Sequence, residues 1–337
     1  MWQGIQGHDA VVQKFRETLA AGRLATTYLF VGPEGVGKRA FALKLAQSLL
    51  CTGSEPAALS PCGRCESCRL FAAGSHPDVD VIGLLPGKRE LLIRQFIGED
   101  ETRNREGLCH NIAMRPMLGQ RRVAVIDDAD WLRVESANCL LKTLEEPPPG
   151  AVIILIGTSR SRQLPTILSR SQVIRFQPLP LESVRELALA NGLAADDAAA
   201  ARLAERSGGS MTRARDLADD SLFEIRDRFM AGWNAGHLDA SRFARELEEF
   251  INAAGKEADL RRCRFHQFLA LVADRFHAAL RQSAIEGHAD EAALAAIDRC
   301  LEAEEQIDRN ANQATLVESW LDDLATILQG QHESTQR

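Results

Sequence analysis

The chain has one tyrosine in 337 residues, and aromatic residues make up only 5% of it. It has no run of about 18 apolar residues, the length a helix needs to cross a bilayer, so no membrane span is expected. It has no basic excess. The net charge of -7 excludes a global electrostatic footprint for nucleic acid and leaves any DNA contact to a local patch or to a partner. The opening residues, MWQGIQGHDAVVQKF, lack the basic and apolar regions of a secretory signal, so a cytoplasmic location is expected. In that reducing setting clustered cysteines read as metal ligands and not as disulfides.

What is present points to a soluble protein of two or three domains. A length of 337 residues exceeds one ordinary core, while 45% hydrophobic and 26% charged residues is an ordinary globular balance. In the first half, apolar runs alternate with helical stretches. TYLFV (27–31), RVAVID (122–127), AVIILIG (151–157) and QVIRF (172–176) read as strands, with helices over 38–50 and 136–144. That alternation predicts an α/β fold with a parallel sheet flanked by helices. Around Pro178-Leu179-Pro180 the pattern changes, and only helical periodicity follows, broken once at Gly208-Gly209. Phe265, Phe268, Leu269, Val272 and Phe276 trace one apolar helical face. The expected domains are 1–177, with a cysteine insert at 51–68, then 178–220 and 221–330, followed by a frayed tail at 331–337.

Gly32-Pro33-Glu34-Gly35-Val36-Gly37-Lys38 follows the first strand and opens a helix. This is the G-x-x-x-x-G-K pattern in the context that gives it meaning: Gly32, Gly35 and Gly37 let backbone N–H groups wrap phosphate oxygens, and Lys38 reaches outer phosphates. A chance glycine-rich turn would lack the strand and helix on either side. The next residue should carry a hydroxyl for Mg²⁺, yet it is Arg39, which has no lone pair to offer. The loop is therefore expected to hold ATP or ADP phosphate without setting up a Mg²⁺ site. Asp127 and Asp128 end the second strand. Asp127 suits a metal-holding carboxylate; Asp128 stands where a glutamate would orient water and is one methylene short. The same pair also suits a helix cap.

Cys51-x10-Cys62-x2-Cys65-x2-Cys68 is a four-thiolate pattern for tetrahedral, structural Zn²⁺. Metal binding can supply about 10–16 kcal/mol in isolated zinc peptides, enough to order a loop with little core. Reactive thiols are the alternative, and His76 reads as a turn residue before Pro77 and not as a ligand. Arg170, in LPTILSRS after the third strand, reads on its own residues as either a solvated surface arginine or a finger for another site.

Taken together these residues resemble the AAA+ clamp-loader family of bacteria, over nearly the whole chain. The resemblance rests on Arg23-Leu24 and Tyr28-Leu29-Phe30 before the phosphate loop, on the four-cysteine insert after its helix, and on LLKTLEEPP (140–148). It also rests on Leu168-Ser169-Arg170-Ser171, similar to the family's LSRC motif, and on Asn310-Ala311-Asn312 with Leu316 and Leu321 near the end. It implies an AAA+ core, a helical lid and a helical collar, with Arg170 as a trans-acting arginine finger and Thr158 as the first sensor. Ser171 replaces the family's Cys. Thr212 takes the place of a sensor arginine, with Arg213 adjacent. Together with Arg39 and Asp128, that makes three losses bearing on hydrolysis in cis, while the finger survives.

This is the pattern of a delta-prime-type member. It implies a stator in a hetero-pentamer with gamma/tau and delta subunits, reaching the sliding clamp and primer-template DNA through the complex, with weak or absent hydrolysis of its own. A gamma-type ATPase and a zinc-ribbon nucleic-acid module on an inactive NTPase fold are the alternatives. The charged stretch 84–111 carries no assigned role.

Overall fold

A computed structural model describes residues 2–85, 88, 90–287, 290–309 and 311–335, apart from the side chains of Asp220, Asp259, Asp308 and 330–335. The chain divides into two compact units, Met1–Arg215 and Asp216–Arg337.

The first unit begins with α1 (Asp9–Ala20), β1 (Thr27–Val31), α2 (Lys38–Leu50), α3 (Glu66–Ala72) and β2 (Val79–Ile82). There follow α4 (Ile93–Ile97), α5 (Leu108–Ala113), β3 (Arg122–Ile126), α6 (Val134–Glu145), β4 (Ala151–Gly157), α7 (Pro165–Leu168) and β5 (Gln172–Arg175). The strands form one parallel sheet in the order β2-β3-β4-β1-β5. The three inner strands β1, β3 and β4 are buried over their full length. That explains why they are written as unbroken apolar runs: a parallel sheet is covered on both faces.

Alternate side chains serve opposite faces. Tyr28, Phe30, Val123, Val125, Ile154 and Ile156 join Phe15 of α1 and Phe41 of α2 on one side. Leu29, Val31, Ala124, Ile126, Ile153 and Leu155 join Phe96, Leu108, Ile112 and Leu140 on the other. Each fully buried aliphatic or phenyl group is worth about 1.5–3 kcal/mol relative to exposure. Part of the unassigned stretch 84–111 thus supplies the cover of the second face, through α4 and α5.

The four strands read from the sequence are present, and the sheet has a fifth. β2 lies at the edge, is only half-buried, and spells Val-Asp-Val-Ile, too short and too polar to stand out beside the inner runs. Beyond β5 the described residues hold helices only. First come α8 (Leu181–Ala190), α9 (Asp197–Ser207) and α10 (Met211–Leu217), around a small core of Leu179, Val184, Ala204 and Ala214; the last of the three runs past the division at Arg215. Asp196 caps α9 by accepting from Ala199 N at 2.7 Å.

The second unit consists of α11 (Asp220–Asn234), α12 (Ala240–Asn252), α13 (Ala258–Ile285), α14 (Glu291–Asp308) and α15 (Gln313–Thr335). Asp219, Asp239 and Asp290 cap three of these helices. The expected stripe Phe265, Phe268, Leu269, Val272 and Phe276 is buried, with Phe229 and Trp320 stacked at 5.4 Å in the same core. Asn312 caps α15 through Thr315 N at 3.1 Å, whereas Asn310 lies outside the described residues, as do 336 and 337 of the expected tail. Among the described residues no helix is long and apolar enough to cross a membrane.

Candidate functional site

The phosphate loop leaves the C-terminal end of β1, where ligands of open parallel sheets bind. Gly37 has φ +93° at the start of α2, a conformation that a side chain would strain. A Cβ on Gly35 would lie 2.3 Å from Ser210 Oγ and 2.6 Å from Thr212 N, so only glycine lets α10 come this close. Met211 N donates to Gly35 O at 2.9 Å. Thr212 is therefore brought against the loop. Lys38 is buried, and its Nζ donates to Gly32 O at 2.7 Å and Pro33 O at 2.6 Å. Burial lowers its pKa, against the pull of Asp130, Glu34 and Asp127.

His8 was not singled out by sequence reading, yet it holds this loop. Its Nε2 lies 2.7 Å from Val36 O, and because a carbonyl only accepts, the ring carries its proton there. The ring packs edge-on against Phe176 at 4.8 Å.

The acidic strand end is fully engaged. Arg39 Nε meets Asp127 Oδ2 at 3.1 Å, and Asp127 Oδ1 accepts from Asp128 N at 3.0 Å. Burial, and next the charge of Asp128, push the Asp127 carboxyl up, while Arg39 and Lys38 oppose this. Asp128 adopts φ +54° and turns its carboxylate to Leu84 N, 3.0 Å away. It makes no side-chain cap, so the cap alternative finds no support at that residue. Asp130 carries more of the structure than its place in the sequence suggested. Its Oδ2 accepts from Thr158 N at 2.8 Å and its Oδ1 from Gln163 Nε2, while Thr158 O accepts from Gly32 N at 3.1 Å. Thr158 thus links the acidic end to the phosphate loop through its backbone.

Arg170 follows α7 and is bound elsewhere. Its guanidinium pairs with Glu145 at the end of α6 and donates to Thr166 O and Ser169 Oγ, each at 3.1 Å. Its side chain keeps 31% exposure. Beside it, Ser171 Oγ is buried without a hydrogen-bond partner.

The thiol cluster forms a third group. The Sγ atoms of Cys51, Cys62, Cys65 and Cys68 all lie within 4.8 Å of one another, with Cys51 and Cys65 3.9 Å apart. A tetrahedral ion with bonds of about 2.3 Å needs sulfurs about 3.8 Å apart, so the four fit one metal ion. Cys51 ends α2, and Cys65 caps α3 by accepting from Cys68 N at 3.4 Å. Burial resists ionisation at Cys65, but the N–H groups of Cys68 and Thr52 outweigh it and bring the thiol down to about 5. Burial, with its cysteine neighbours, pushes Cys68 up to about 12. Four thiolates this close would repel one another, and a divalent cation would relieve that repulsion. His76 is no ligand: its Nδ1 accepts from Asp78 N at 3.0 Å and its Nε2 faces Ser67 Oγ at 2.9 Å. Ser67 in turn donates to Leu50 O at 2.7 Å, so this buried histidine braces the insert against β2.

The family described as DNA polymerase III, delta subunit, matches residues 7–180. DNA polymerase III subunit delta' of Pseudomonas aeruginosa is 40% identical over 209 residues, 62% of this chain and 60% of that protein. DNA polymerase III subunit gamma/tau of Mycobacterium bovis is 33% identical over 242 residues, 71% of this chain and 38% of that protein. Each match spans less than two thirds of the relative's length. A gamma subunit-related protein of Thermotoga maritima shares the fold, with a TM-score of 0.51 at 16% identity, covering 94% of this chain and 99% of that one.

Proposed function

The chain belongs to the DNA polymerase III delta-subunit family, and from that premise we propose that it is a delta-prime-type clamp-loader subunit, a stator that lends Arg170 to a neighbouring ATPase. The observation that carries the reading is a contrast in charge use. The carboxylates of its own acidic end are each spent on internal partners, whereas Arg170 is paired with Glu145, a carboxylate half open to solvent that can give the guanidinium up. Presented to the γ-phosphate of ATP on a gamma/tau neighbour, that guanidinium stabilises charge developing in the transition state. Residues 178–220 serve as the lid and 221–330 as the collar that packs against gamma/tau and delta in a hetero-pentamer. Through that complex the sliding clamp is opened and released at primer-template DNA in the cytoplasm.

The four cysteines hold structural Zn²⁺, which orders the insert between α2 and α3. Chelation is expected to release stoichiometric zinc and to expose the amides of α3 to hydrogen exchange; full retention of their protection after zinc loss would refute a structural ion. The role in the complex is tested by ATPase assay. The isolated chain is expected to turn over little ATP, and the complex rebuilt with Arg170→Ala to hydrolyse far more slowly than with the natural chain. Intact Lys38 keeps a gamma-type motor as the second reading, and brisk Mg²⁺-dependent turnover by the isolated chain would favour it.

A further inference from the structure

The fold of a phosphate loop implies Mg²⁺ beside it, and the residues here do not fit that ion. Mg²⁺ needs near-octahedral hard oxygen ligands at about 2.0–2.1 Å. The hydroxyl that would supply one is replaced by Arg39, and the carboxylate that would help hold the ion is occupied on both oxygens, by Arg39 Nε at 3.1 Å and by Asp128 N at 3.0 Å. Asp128 is turned to Leu84 N, and Asp130 to Thr158 N and Gln163. A divalent ion at Asp127 would sit against a guanidinium that never loses its charge.

We propose that Arg39 is a built-in replacement for the metal, so that this loop takes the phosphates of a nucleoside di- or triphosphate without a divalent ion. The two cations belong to consecutive residues at the start of α2, where backbone N–H groups already favour an anion. Arg39 uses only Nε on Asp127; its terminal nitrogens have no partner among the described residues, and the side chain is 63% exposed. A guanidinium fixed at one edge presents those nitrogens as a fork for phosphate oxygens. Lys38 is held over the loop by two carbonyls and exchanges them for phosphate when it arrives. The charge that an NTPase draws from solution as Mg²⁺ is carried here on the chain.

This goes beyond the clamp-loader reading and is tested apart from it, on the isolated full chain. ADP and ATP are titrated calorimetrically, once with magnesium and once with EDTA. The natural chain is expected to give the same dissociation constant in both. Arg39→Met, which removes the charge, is expected to bind about tenfold more weakly in both buffers, a loss of about 1.4 kcal/mol. Arg39→Thr, which returns the hydroxyl and frees Asp127, is expected to bind more tightly with magnesium than with EDTA. Circular dichroism checks that each variant folds. A natural chain that binds more tightly with magnesium overturns the proposal. So does one that binds no nucleotide in either buffer, or an Arg39→Met variant that binds as well as the natural chain. None of these outcomes bears on Arg170, whose test lies in the assembled complex.

Discussion

The phosphate loop and the arginine loop belong to the same compact unit and treat their charges in opposite ways. At the first, Lys38 is folded onto Gly32 and Pro33, Arg39 onto Asp127, Asp128 onto Leu84 and Asp130 onto Thr158. At the second, Arg170 rests on Glu145, whose side chain is itself half exposed, so solvent already competes for the pair. A carboxylate with buried, directional donors is structural, whereas an ion pair open to water gives up its partner at little cost. The two arginines meet carboxylates of different kinds: Asp127 is 21% exposed and Glu145 50%.

The largest expected break in this contrast comes from Arg170→Ala. In the rebuilt complex it should lower ATPase by about 10³-fold or more, the range reported for arginine fingers, while thermal melting of the isolated chain stays unchanged. An unchanged complex rate would remove the contrast altogether. Asp130→Ala tests the other side: it strands the Thr158 N–H, and urea unfolding of the isolated chain should show a loss of about 1–3 kcal/mol. Ser171→Cys is expected to gain about 1 kcal/mol by relieving a buried hydroxyl without a partner, read as a higher melting temperature. A drop in stability there would mean that the hydroxyl is satisfied after all. Glu145→Gln should be the mildest, costing about 0–1 kcal/mol, as exposed ion pairs do. A larger cost in melting would make Glu145 a structural partner and blur the distinction.

The inner sheet and the helical second unit were legible because burial on both sides of a strand and on one stripe of a helix leaves a continuous or periodic mark. β2 left none, since its half-buried edge position tolerates aspartate. The phosphate loop, the acidic end, the thiol spacing and Arg170 could be named in sequence because each is a local pattern. Their partners could not. That Arg39 meets Asp127, that Asp130 holds Thr158 and that His8 grips Val36 are consequences of which distant segments the fold brings side by side, and no local spacing encodes that. His76 illustrates the same limit: proximity in sequence to four cysteines says nothing about its bonds to Ser67 and Asp78.

The bond from Met211 N to Gly35 O has a mechanical meaning. It joins the first residue of α10 to the loop by main-chain atoms, and Gly35 has no side chain to hold the two apart. Any shift of this helix start away from the loop must therefore break a backbone hydrogen bond, so hydrogen exchange at the Met211 amide reports directly on how firmly the two are tied.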